Sequence, residues 1–113
     1  MDFSKEILKG SIEIIVLKML DELDEAYGYQ LLKSIQEESK DIFAFQESTL
    51  YPLLYRLEEK GYVSSNRKKA PSGKERRYYS LTTQGKKLLV GKTLEFKEYM
   101  KGMGNILKLS NHA

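Results

Sequence analysis

Four leucines constrain this chain more than any other feature. Leu50, Leu53, Leu54 and Leu57 fall at i, i+3, i+4 and i+7, the spacing of a helix that buries one stripe. The helix is expected to start at about Glu47–Thr49 and run to Lys60. Pro52 falls in or near its first turn, where a missing N–H costs least. Gly61 is a natural stop after Lys60.

The flanking sequence extends this into a pattern. Ser11 is a plausible N-cap for a helix running to about Leu23, with Ile12, Ile15, Val16, Met19, Leu20 and Leu23 at helical spacing. Residues 5–9 can add an earlier turn. A second helix is expected over Tyr29–Glu38, with Leu31, Leu32 and Ile35 inward and Gly28 suited to a tight turn before it. After the leucine helix, residues 62–69 and 75–81 read as strands around Pro71-Ser72-Gly73, which is turn chemistry. Thr82 or Thr83 then caps a last helix to about Leu109. The fold class is therefore mainly α with a small β-hairpin. Three helices, a hairpin and a long helix outline a winged helix-turn-helix with a C-terminal dimerisation helix. Residues 1–81 would form the winged unit and 82–113 the dimerisation helix, joined in one compact body.

Charge is distributed unevenly. Residues 1–60 hold 7 Lys/Arg against 13 Asp/Glu, a balance of −6. Residues 61–113 hold 12 against 3, or +9, which returns the overall +3. A basic second half suits a polyanionic partner or a solvated basic face. Catalytic chemistry finds little to work with. There is no Cys, the single His is His112, no Gly-rich phosphate loop is present, and the acidic residues lie in surface-like runs. No cofactor or metal site is indicated. Ile14–Leu17, the strongest apolar run, is far too short to cross a membrane, and no leader pattern opens the chain. A cytoplasmic location is the expectation.

Two elements carry residues suited to double-stranded DNA. The outward side of the leucine helix holds Ser48, Thr49, Tyr51, Pro52, Tyr55 and Arg56. Small polar groups there can bond phosphates or base edges, Pro52 can meet a thymine methyl, and Arg56 can reach phosphate or guanine. The hairpin concentrates Arg67, Lys68, Lys69, Lys74, Arg76 and Arg77 against Glu75 alone. Phosphate binding through counterion release is their natural use, although lysine-rich edge strands also deter aggregation. In the second strand, Arg77, Tyr79 and Leu81 share one face, and Arg76, Tyr78 and Ser80 the other. With Leu81 turned to the core, Tyr79 is structural, and Arg76 and Tyr78 form the more exposed pair.

The last helix suggests a second copy of the chain. Leu89, Thr93, Phe96, Met100, Met103 and Leu107 alternate steps of four and three, a 3.5-residue seam flanked by Lys92, Lys97, Glu98 and Lys101. Packing back onto the first helix is the competing use of this stripe. A homodimer would present two recognition helices to half-sites about 34–36 Å apart, hence a palindromic operator. A Met- and aromatic-lined seam also suits a small apolar or aromatic effector, with Phe96, Tyr99, Met100 and Met103 as candidates.

Lys9-Gly10-Ser11-Ile12-Glu13-Ile14-Ile15-Val16-Leu17, Tyr27-Gly28-Tyr29-Gln30-Leu31, the stretch from Ser48 to Glu58, and Gly73 with Arg77-Tyr78-Tyr79-Ser80-Leu81-Thr82 and Gly85 resemble the PadR family of bacterial and archaeal regulators. The resemblance covers roughly residues 8–90. It implies a winged helix-turn-helix dimer that represses transcription, with the recognition helix on Ser48–Lys60 and the wing on Arg67–Arg77. A single helix after the wing resembles the family's short members. Some of those bind planar aromatic drugs between subunits using a Trp, which this sequence lacks. The alternative is a winged-helix interaction module without specific DNA readout.

Overall fold

The computed structural model describes residues 1–109, so His112 lies outside the described residues. The element order is α1 (Lys5–Lys9), α2 (Ile12–Leu23), α3 (Gly28–Glu38), α4 (Glu47–Glu59), β1 (Val63–Lys69), β2 (Glu75–Leu81) and α5 (Thr83–Leu107). One core joins them. Val16, Leu17, Met19 and Leu20 from α2 meet Leu31 and Ile35 from α3, and the four leucines of α4 close the set. Val63 and Tyr79 from the hairpin and Leu89 from α5 complete it.

Several local expectations change. Ser11 does not cap α2. Its hydroxyl instead donates to the carbonyl of Ile7 at 3.0 Å, fastening α2 to the short α1 that precedes it. Pro52 is the sixth residue of α4, beyond the first turn, and has no N–H to offer the Ser48 carbonyl. Gly28 makes no turn with positive φ; that conformation falls on Asp24 (φ 66°). Gly28 is the first residue of α3, and a Cβ there would overlap the Tyr51 hydroxyl. A side chain at this position would have to displace the Tyr51 ring.

The hairpin is antiparallel, with Val63 opposite Leu81, Arg67 opposite Arg77 and Lys68 opposite Arg76. Its turn closes through the Gly73 N–H donating to the Ala70 carbonyl (2.8 Å), with Gly73 at φ 89°. Ala26 adds a bridge to the free edge of β2, exchanging two backbone hydrogen bonds with Tyr79 (2.9 and 2.8 Å). Thr82 caps α5 by accepting from the Gly85 N–H (3.0 Å) and donates to the Gly61 carbonyl (2.6 Å). That pins the start of α5 to the end of α4.

From there α5 runs 25 residues, about 37 Å at 1.5 Å per residue. Its first half packs on α2, with Leu89 buried and Lys92 paired to Glu13 at 3.6 Å. Its second half leaves the domain, which stretches the molecule to 50 × 30 × 22 Å. Among the described residues no helix is long and apolar enough to cross a membrane.

Candidate nucleic-acid interface

The leucine stripe orients α4 as expected. With Leu50, Leu53, Leu54 and Leu57 inside, Ser48, Thr49, Pro52, Tyr55 and Arg56 are exposed. Tyr51 is the exception among the residues expected to face outward. It is half-buried against the core, with its hydroxyl over Gly28 and its ring 6.3 Å from that of Tyr55. Burial raises the Tyr51 hydroxyl above its usual pKa, Glu47 and Tyr55 add to this, and Arg76 opposes it. Tyr79 is raised in the same way, first by burial and then by Tyr55, against Arg77. Both phenols therefore stay protonated at neutral pH.

The two faces of the hairpin treat their cations differently. Directly opposed residues share a face. On the first face, Arg67 pairs with Glu75 at 3.4 Å, both well exposed, while Arg77 donates to the Ser65 hydroxyl at 2.9 Å. Ser65 in turn donates to Glu58 of α4 at 2.7 Å, so a hydrogen-bonded relay ties the hairpin to α4. On the second face, Lys68 pairs with Glu25 and sits 4.7 Å from the centre of the Tyr78 ring. The Arg76 guanidinium lies 4.5 Å from the centre of the Tyr27 ring. Tyr27 and Tyr78 meet edge to face at 5.5 Å. Tyr78 is consequently only 9% exposed, and the Arg76 Nε is buried. The expectation of an exposed Arg76–Tyr78 pair is thus corrected, because the connection between α2 and α3 covers that face. Lys69 and Lys74, at the tip, are exposed.

Wing and helices converge in a cleft of about 190 Å³ lined by Tyr27, Gly28, Tyr51, Tyr55, Arg76 and Arg77, with Glu75 and Tyr79. Strand β2, the N-terminal turn of α3 and one side of α4 therefore border a single opening. Tyr27 in the cleft, and Glu25, Glu58 and Ser65 in the contacts around the hairpin, were not legible in the sequence. The only sequence signal was the alternation of Glu25 and Tyr27 about the small Ala26, too short to read as a strand.

This arrangement has known counterparts. The PadR-like family of transcriptional regulators matches residues 16–90. The chain belongs to that family. An uncharacterized protein of Lysinibacillus sphaericus is 31% identical over 93 residues, spanning 82% of this chain and 84% of that one. A transcriptional regulator of Clostridium thermocellum superposes with a TM-score of 0.80 at 29% identity, covering 89% of this chain and 97% of the other. A PadR-like regulator of Bacillus cereus gives 0.79 at 25% identity, covering 91% and 97%. The fold is thus the winged helix of this family, whose members are regulators of transcription and not enzymes.

Proposed function

We propose that the chain is a homodimeric repressor that binds a palindromic operator through α4 and the wing. The observation that carries this is the shared cleft, where the exposed side of α4 and the basic strand β2 open onto one space. Ser48, Thr49, Pro52, Tyr55 and Arg56 would enter the major groove, with Tyr51 at its edge. Arg67, Lys69, Lys74 and Arg77 would meet phosphates, since a surface pair such as Arg67–Glu75 is weak enough to exchange for a phosphate.

Residues 1–81 would supply the DNA-binding unit and 82–113 the dimer contact. Support for the dimer comes from α5, where Met100, Met103 and Leu107 remain exposed although they continue the stripe begun by Leu89. Phe96, Tyr99 and Met100 would line a site for a small apolar effector, with the rings of Phe96 and Tyr99 6.2 Å apart. Such a ligand would change the spacing of the two recognition helices.

The test is binding to DNA upstream of the protein's own gene and its neighbours, at two salt concentrations, with random DNA as control. Selective, salt-sensitive binding is expected. Equal, weak and salt-independent binding to both DNAs would favour an interaction module instead.

A further inference from the structure

The second face of the wing holds two cations, Lys68 and Arg76, whose contacts within the free protein set them apart from the others. Lys68 and Arg76 stand directly opposite each other across the hairpin. Like charges in that register repel and weaken strand pairing. Each is instead turned onto an aromatic ring. Arg76 stacks on Tyr27, Tyr27 meets Tyr78 edge to face, Tyr78 lies under Lys68, and Lys68 pairs with Glu25 while staying partly exposed. The chain of contacts returns to its start through the Lys68–Arg76 register.

Two of these residues, Glu25 and Tyr27, come from the connection before α3. Backbone bonds between Ala26 and Tyr79 hold that connection to β2. A cation over a ring face, an edge-to-face ring pair and an ion pair therefore join the wing to the start of the helix-turn-helix unit.

We infer that Tyr27 is a positioning residue for the wing, and that Lys68 and Arg76 serve this tether and not the phosphate backbone. The inference rests on the proposed DNA binding only for its second half; the tether belongs to the free protein. Tyr27 fixes Arg76, which would otherwise face Lys68 uncompensated, and so sets the angle of the hairpin to α3. Phosphate contact falls to the cations outside the tether: Arg67, Lys69, Lys74 and Arg77.

Hydrogen–deuterium exchange on the full chain without DNA tests the tether. Tyr27→Ala is expected to speed exchange of the amides at 67–77 by about tenfold while α4 is unchanged. Tyr27→Phe, which keeps the ring face, is expected to match the wild type. Unchanged exchange in Tyr27→Ala, a rise shared equally by α4, or the same rise in Tyr27→Phe overturns the tether.

Duplex DNA titrated against salt tests the division of labour. Lys74→Gln is expected to reduce the slope of log affinity against log salt by about 0.9 for each phosphate the lysine neutralises, whereas Lys68→Gln leaves it unchanged. Equal reductions would overturn the assignment of Lys68. Absence of any DNA binding by the wild type would instead reject the proposed function, and the exchange experiment would still decide the tether.

Discussion

Helices α4 and α5 are both amphipathic, but they complete their apolar faces in different ways. The four leucines of α4 are at most 2% exposed, enclosed in the core they share with the other elements. In α5 the stripe starts covered, at Leu89 with 7% exposed, and ends open, with Met100 at 47% and Leu107 at 55%. A helix whose apolar face is satisfied within its own chain can turn its polar face to a ligand. One whose apolar face is open needs a second surface. The same periodicity therefore supports two roles, and coverage separates them.

Mutations can sharpen this contrast. The largest effect is expected in α4, where Leu54→Ala should cost about 2–5 kcal/mol in chemical denaturation because a fully enclosed side chain is removed. A loss below about 1 kcal/mol would show that the α4 stripe is not enclosed. Aspartates at both Met100 and Met103 should spare the fold yet weaken self-association about 100-fold or more. Sedimentation velocity reads this directly, and a persistent dimer would place the interface elsewhere.

Arg56→Ala touches only the polar side of α4. It should leave the unfolding midpoint and the dimer intact while reducing operator affinity by about 1–3 kcal/mol. Retained affinity would remove Arg56 from the interface. Thr82→Ala removes the cap that joins the two helices and should cost about 1 kcal/mol in thermal or denaturant unfolding.

The smallest effect is in pH dependence. Tyr51 and Tyr79 have raised folded-state values, so above pH 10 the unfolded chain loses these protons first. Their contribution is complete below that pH and declines as pH rises through the folded values. Tyr79→Phe should flatten the alkaline decline in stability, and an identical decline would show that Tyr79 does not drive it.

The hairpin shows how far periodicity carries. Alternation correctly divided β2 into two faces and made Tyr79 structural, yet it left Tyr78 outside. Alternation tells which residues share a face, whereas burial depends on what lies over that face. The cover here is Tyr27 with Glu25, and Glu25 stands 43 residues before the lysine it pairs with. Gly28 gives the same lesson at close range. Its position before α3 suggests a turn, whereas in the structure the space beside it is filled by a tyrosine one helix later.

Local chemistry in the sequence was sufficient for the element order, the inward stripe of α4, a threonine cap at 82 or 83 and the turn around Gly73. These depend on spacing, backbone preference and neighbours within a few residues. Tertiary structure alone decided which wing cations meet aromatic rings, that Tyr51 packs over Gly28, and where the α5 stripe becomes uncovered. Each of those is set by a surface brought from elsewhere in the chain, and no local pattern encodes the partner's position.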